Sequence, residues 1–460
     1  MGRAFTLLLI LCIMSSAALR AEQPQPIKLD LARTADLAIQ QNLTIKASKQ
    51  NITTATKNVD RVKSKGKGHA DLSASYYHLD DPITLDAKTI AINDTTVIIP
   101  GQTVADQDVY FAFISAAYPI FDAGRIRYRT RSATFGVTEA ENTASNTELS
   151  IVLQTTRTYL AAIYGRESVL VNEESLKSYE EHLSQAQKLR KEGVATDYDV
   201  IRAEAAVEDQ KKRLTDVRNL YELALANLRT SLLLPKDSPI DLEGGFFDIP
   251  SQQPVAQAEE IAVKADPLVR SITDRLSSLF WLEKSVKADR KPQIDIVGSA
   301  NLVSRSKGFM TDSQWFVGLQ LSQMVFDGGL IRAQAEELGS EQVKTNTELE
   351  NAANDTRLSV RSAYLDMDTA YSAITSARKA VDLARESLRL AERRFAEGVG
   401  TNLEVLDANV NLLSAETGLQ QSLYQLDSAY LTAHRYLGDL VQVTHTAQTD
   451  EGVNSEGRSK

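Results

Sequence analysis

Apolar and small side chains recur at alternating spacings of three and four along two long stretches of the chain. Leu149, Leu153, Thr156, Leu160 and Ile163 mark the first, and Val381, Ala384, Leu388, Ala391 and Phe395 the second. This is the period of coiled-coil helices. It predicts one helix from just beyond Asp122 to about Lys191 and another from just beyond Asp327 to about Ala396. At ~1.5 Å per residue, about 70 residues make a rod of roughly 100 Å. Returning helices carry Val200, Ala203, Val207 and Leu214 in the first stretch and Leu412, Leu419, Leu423 and Leu426 in the second. Residues 71–79, 109–120, 293–303 and 313–325 instead alternate or concentrate β-branched and aromatic side chains, as strands do. Each is about ten residues long, enough to cross a bilayer when tilted. Helices over Leu31–Lys63 and Ala256–Asp289 precede the two strand pairs, and a polar segment, Asp80–Asp108, joins the first pair.

The two stretches are copies of one pattern. Phe121-Asp122-Ala123-Gly124-Arg125-Ile126-Arg127 returns as Phe326-Asp327-Gly328-Gly329-Leu330-Ile331-Arg332, an offset of 205 (326 − 121). The same offset relates Tyr159-Leu160 to Tyr364-Leu365 and Glu192-Gly193-Val194-Ala195-Thr196 to Glu397-Gly398-Val399-Gly400-Thr401. A register held without a gap over so long a stretch implies two equivalent structural units. The chain therefore divides into residues 22–234, a Pro- and Gly-containing connector over 235–255, a second repeat over 256–438 and a polar tail over 439–460 that is expected to be disordered from Thr444.

Chemistry at the repeat boundaries explains where the elements stop. Asp122 and Asp327 are good N-caps, with Gly124 and Gly329 easing the passage from strand to helix. Gly193 and Gly398 suit the left-handed conformation that closes a helix. Thr196 with Asp199, and Thr401 with Glu404, match the [ST]-x-x-[DE] capping pattern that opens the next one.

Composition narrows the class. The 460 residues hold only 22 Gly and 11 Pro, and 43% hydrophobic with 6% aromatic residues is modest for a globular enzyme of this length. Arg3, the apolar run Phe5 to Met14 and the small residues Ser15 to Ala18 have the layout of a secretory signal over 1–21. Its removal takes away Arg3 and Arg20 and no acid, moving the net charge from −10 to −12 (−10 − 2), which makes nucleic acid a poor partner. The one cysteine, Cys12, lies within that segment, so disulfides and Cys-bound metals are not expected. His69, His78, His182, His434 and His445 show no metal-ligand spacing, and no nucleotide-loop, nucleophile-elbow or zinc-protease motif is present. The expectation is a protein that is not an enzyme and needs no cofactor. No stretch of 18 consecutive apolar residues follows the signal, so a membrane role must use strands.

Four spanning strands cannot close a barrel alone, because membrane barrels begin at eight and open edges in lipid are costly. Two, three or four chains sharing one barrel would satisfy that rule. Tyr76, Tyr77, Tyr110, Phe111, Phe113, Tyr118, Trp315 and Phe316 lie near the strand ends and suggest an interfacial aromatic girdle.

Several residues resemble those of the TolC-like outer-membrane efflux proteins. These are the doubled Phe-Asp-x-Gly, the doubled Glu-Gly-Val-x-Thr followed by Asp-Val-Ile-x-Ala (199–203) or Glu-Val-Leu-Asp-Ala (404–408), and Arg290-Lys291-Pro292-Gln293-Ile294 before a strand. Leu37-Ala38-Ile39-Gln40-Gln41-Asn42 and Ala262-Val263-Lys264-Ala265-Asp266-Pro267 match as a further pair, and the likeness spans about 28–440. The chain departs where Met324 stands in place of Pro119, where His69-Ala70 replaces a proline, and in its long 80–108 loop. The resemblance implies a mainly α chain with a membrane β-barrel. Its two repeats would each pair long coiled-coil-like helices with two spanning strands, and three chains would assemble as a trimeric α/β barrel channel. It implies passive export across the outer membrane, in a tripartite efflux or type I secretion system, with a periplasmic adaptor and an inner-membrane transporter as partners. Gly193, Val194, Thr196, Gly398, Val399 and Thr401 would then form the adaptor-facing tip. Asp199, Glu404 and Asp407 would ring its aperture, unless the first two serve only as caps and the third is merely solvated. An exported coiled-coil rod or adaptor of the periplasm is the rival reading, and recovery in the soluble fraction would favour it.

Overall fold

Asn42 interrupts the first predicted helix. In the computed structural model, which describes residues 26–92, 95–247, 249, 254–305 and 315–446, strand β1 (Ile27–Leu29) leads into α1 (Leu31–Gln41) and α2 (Leu43–Ser64). The Asn42 side chain accepts from the backbone N–H of Thr44 at 2.8 Å and so caps the second helix. The same break occurs in the other half. There α5 (Val255–Ala265) and α6 (Pro267–Ala288) meet at Asp266, held extended by the proline that follows it. A sequence scan runs through both breaks because the apolar period continues across them. The predicted signal and residues 447–460 of the tail lie outside the described residues.

The strands after α2 are β2 (His69–His78), β3 (Ile83–Leu85), β4 (Lys88–Ile92), β5 (Thr95–Ile99), β6 (Gln102–Ala105) and β7 (Asp108–Phe121). The segment read as a polar loop is thus a ribbon of two nested antiparallel pairs, β3 with β6 and β4 with β5. Its threonines and isoleucines favour strands, but apolar residues on it such as Leu85, Ile90 and Ile98 are exposed, so no buried face announces it. The first long helix, α3 (Arg125–Lys191), and its return, α4 (Asp197–Ser231), follow. Next come β8 (Ile240–Leu242), α5, α6, β9 (Gln293–Arg305), β10 (Trp315–Ser322), α7 (Leu330–Ala396), α8 (Asn402–Leu437) and α9 (Leu440–Thr446). Helices α3 and α7 are each 67 residues long and start and stop 205 positions apart.

Contacts divide the chain into two units, each drawing on both repeats. One holds residues up to 46, 146–266 and from 355 onward, the other 47–145 and 267–354. In the first unit, Tyr159, Leu160 and Ile163 of α3 pack with Leu228, Leu232 and Leu431 of the return helices. The connector joins this core. Its β8 pairs in parallel with β1, Leu29 facing Leu242, and Arg166 donates to the carbonyls of Leu242 and Gly244 at 2.8 and 2.7 Å. Tyr159 donates to the carbonyl of Glu243. The tail also begins in order: Leu440, Val443 and Thr444 of α9 are buried, because apolar residues three apart give even this short helix a packing face.

The second unit contains one four-stranded antiparallel sheet, in the order β2-β7-β9-β10. Beneath it α6 is held to the start of α3 by polar contacts. Arg129 donates to Ser285 at 3.1 Å, Asn142 donates to Asp274 at 2.8 Å, and Arg125 and Arg129 both face Asp289.

Candidate functional site

Three places carry the sequence-predicted residues. The first is the passage from sheet to long helix. The Asp122 carboxylate accepts from the backbone N–H groups of Gly124 and Ile126 at 3.0 and 2.6 Å, and Asp327 does the same for Gly329 and Ile331 at 3.0 and 2.9 Å. Those two donors hold the Asp327 carboxyl below the usual carboxylate range. Ala123 and Gly124, like Gly328 and Gly329, have positive φ, so the turn needs two consecutive left-handed residues. Phe121 ends β7, and Phe326 lies beyond β10, 87% exposed.

The sheet is the second place, and its register sorts the side chains. Tyr76 lies opposite Tyr110, Leu72 opposite Ile114, Ile114 opposite Ala300 and Ala300 opposite Trp315. With Tyr118, Ile296, Val317, Leu319 and Leu321 these form one apolar face, nearly all of it exposed. The other face carries Ser73, Ser75, Ser115, Ser299, Asp295 and Gln320. The eight aromatic residues expected to form one girdle therefore divide. Tyr76, Tyr110, Tyr118 and Trp315 stand on the apolar face, while Tyr77, Phe111, Phe113 and Phe316 alternate onto the polar one, because neighbours along a strand point oppositely. Strands β2 and β10 are edges with no further partner among the described residues.

The paired helix tips are the third place. Gly193 (φ 79°) and Gly398 (φ 72°) end α3 and α7 in the left-handed region, and the amides of Val194 and Val399 reach back to the carbonyls of Leu189 and Arg394. Thr196 and Asp199 form a full capping box: the Asp199 N–H donates to Thr196 Oγ1, and Asp199 Oδ2 accepts from the Thr196 N–H at 2.9 Å. In the copy only half forms. Thr401 accepts from the Glu404 N–H at 3.2 Å, while the Glu404 carboxylate turns to Arg394 at 3.6 Å. Asp407 is exposed and has no ion pair among the described residues. Of the three acids predicted to act together, one is thus committed to a cap and one faces a base.

What joins the two tips is a pair that the sequence reading passed over. His182 on α3 is 4% exposed, packs at a tilt against Phe395 with ring centres 4.9 Å apart, and meets Asn402 Oδ1 at 2.6 Å. Asn402 Nδ2 in turn donates to the carbonyl of Asp199 at 3.0 Å, and Val194 lies against Gly398. Burial holds the imidazole below its ordinary value, against the opposing pull of Asn402 and Asp199. The neutral ring, protonated on Nε2, therefore donates to Asn402, which passes the link to α4. The sequence signal was present: Asn402 stands where the first repeat has Asp197, an exposed acid paired with Arg190.

Comparison with known proteins agrees with this geometry. The model of the outer membrane efflux protein family matches residues 34–232 and 264–439. The alkaline protease secretion protein AprF of Pseudomonas aeruginosa is 23% identical over 343 residues, 73% of this chain and 71% of that one. The probable efflux pump outer membrane protein TtgC of Pseudomonas putida is 24% identical over 315 residues, 66% of this chain and 63% of its own length. Among solved structures, the outer membrane protein VceC of Vibrio cholerae superposes with a TM-score of 0.73 at 15% identity, covering 89% of this chain and 96% of that one.

Proposed function

The chain belongs to the outer membrane efflux protein family and is an export channel of the outer membrane that extends into the periplasm, and we propose that it acts as a homotrimer with one shared barrel. The observation that carries the proposal is the four-stranded sheet, apolar on one face, polar on the other and open at both edges. From Tyr110 to Tyr118 the apolar face runs eight residue steps, about 26 Å at ~3.3 Å each, close to the ~25 Å apolar band of membrane barrels. Unpaired strand edges are prohibitively costly in lipid. Pairing β10 of one copy with β2 of the next removes every edge, and three copies supply twelve strands. The polar face then lines the lumen, and the apolar face meets outer-membrane lipid.

The long hairpins form the periplasmic conduit, and their tips, Gly193–Thr196 and Gly398–Thr401, dock the periplasmic adaptor that links the channel to an inner-membrane transporter. The channel is passive and uses no nucleotide. Asp407, exposed and unpaired in each copy, supplies a ring of negative charge at the aperture, with Asp199 and Glu404 fixing the helix starts behind it. Membership of the family sets the exported rod or adaptor aside. Native mass spectrometry of detergent-extracted protein tests the assembly: a trimer is expected, and a stable monomer with a closed barrel would refute it.

A further inference from the structure

The helix-bearing end of the sheet carries a charge pattern that export does not require. The chain as a whole is acidic, at −10, yet three of the four segments that join strands to helices at this end are basic. Lys63, Lys65 and Lys67 lead into β2, Arg127 and Arg131 open α3 just after β7, and Lys284, Arg290 and Lys291 lead into β9. All are exposed, and none forms a salt bridge with a carboxylate among the described residues. The nearest acids are already engaged: Asp289 by Arg125 and Arg129, Glu283 by Lys287, and Asp327 by the backbone of its own turn.

Aromatic rings lie among these cations. The Arg131 guanidinium is 4.2 Å from the centre of the Trp281 ring, Lys284 is 4.3 Å from that of Phe280, and Tyr128 stacks on Trp281 at 5.9 Å. Rings beside long basic side chains suit the boundary between membrane and water, where the ring settles at headgroup depth and the charge reaches outward. Beside them the apolar face is hollowed. Ala70, Ala116 and Gly298, between Tyr118 and Val317, leave a trough of about 480 Å³ with Lys67 at its rim. Gly66 sits against Ile126, which ties the lysine-rich turn to the start of α3.

We propose that this collar binds anionic phospholipids of the periplasmic leaflet, the basic side chains taking the phosphates and the trough an acyl chain. The inference rests on the reading that the sheet spans the outer membrane with its helices in the periplasm. A net negative headgroup is favoured over a zwitterionic one because eight exposed bases gather here without a salt bridge, while Asp289 and Glu283 beside them already hold bases of their own.

Replacing Trp315 with Phe leaves Trp281 as the only tryptophan, a reporter within the collar. The channel, reconstituted in phosphatidylcholine, is titrated with brominated phosphatidylglycerol or brominated phosphatidylethanolamine, and quenching of Trp281 gives the relative association constants. Each engaged base is worth roughly fivefold, so a preference of about tenfold or more for phosphatidylglycerol is expected, weakening with salt. It should fall to near one in Arg131→Gln/Lys284→Gln and severalfold in Lys65→Gln/Lys67→Gln, whose ammonium groups lie over no ring among the described residues. Equal quenching by both lipids in the parent, a preference that survives both double variants, or its abolition by millimolar inorganic phosphate at constant ionic strength would overturn the inference while leaving the channel reading intact. Absence of quenching by any lipid, with the protein in the soluble fraction, would overturn both.

Discussion

Replacing Asn402 with alanine should loosen the two tips while leaving the rest of the helical core unchanged. The amide makes two contacts between separate hairpins, 2.6 Å to His182 and 3.0 Å to the Asp199 carbonyl. Its loss strands the His182 N–H in a site only 4% exposed, at a cost of about 1–3 kcal/mol for the unsatisfied donor. The Asp199 carbonyl keeps its place in α4 and adds little. A net cost of about 2 kcal/mol corresponds to a roughly 30-fold rise in local opening. Hydrogen exchange of the amides of Gly193, Val194, Gly398 and Val399, which bond back into the last turns of α3 and α7, reads that opening directly. The same site sets a pH dependence. The folded-state value of His182 is depressed, so its contribution is present above the ordinary histidine value of about 6.5 and is lost as pH falls through the folded value. Opening, corrected for intrinsic exchange, should rise from neutral pH toward pH 5 in the parent. In Asn402→Asp it should do so less or not at all, because the new carboxylate stabilises the charged ring. Exchange at the tips equal to that of the parent in Asn402→Ala would refute the reasoning, as would equal acceleration around Tyr159, which would mean global destabilisation.

Ile114→Arg, in the middle of the apolar face, should cost the proposed barrel about 2–4 kcal/mol of stability. Ser115→Arg, on the opposite face, should be tolerated, as heat stability of the extracted trimer on gels will show. Asp122→Ala and Asp327→Ala each remove an acceptor for two backbone N–H groups; the first should cost about 1 kcal/mol and the second should also lower stability, both read by chemical unfolding. The depressed Asp327 carboxyl adds that its share is present above its ordinary value near 3.8 and disappears as pH falls through the folded value, seen as a smaller mutational effect in acid unfolding. Gly193→Pro or Gly398→Pro should abolish export and leave the trimer intact, since both need positive φ and donate an N–H to the preceding turn; export assays with both variants decide it. Gly400→Ala should destabilise its tip, because a Cβ there would lie 2.9 Å from Arg394 and Phe395 atoms, whereas Ala195→Gly at the matching place should change little; tip exchange distinguishes them.

The limits of what the sequence reveals follow from the range of the interactions involved. Where α3 and α7 stop was legible in the sequence because Gly193, Gly398, Thr196 and Thr401 act on their own turns. The four sheet strands were legible from alternation, but which face each aromatic residue takes needed the cross-strand register. The 83–105 ribbon escaped because its apolar residues are exposed and carry no period of burial. The three-residue strands β1 and β8 escaped because each is too short to have a pattern and finds its partner in the other half of the chain. The His182–Asn402 link spans 220 positions, and only superposing the repeats would have drawn attention to it. The same superposition exposes a reversed pair. Glu180 and Lys211 in the first hairpin correspond to Arg385 and Glu416 in the second, where the ions meet at 2.7 Å.

The equal lengths of α3 and α7 restrict how this molecule can be redesigned. With both ending 205 positions apart and their tips joined by Asn402 and Val194, neither hairpin can be shortened alone without pulling His182 away from its partner. A channel of altered reach would need matched deletions in α3, α4, α7 and α8 together. Each deletion would have to be a whole number of heptads, so that Ala186, Ala203, Ala391 and Ala408 still meet in one seam.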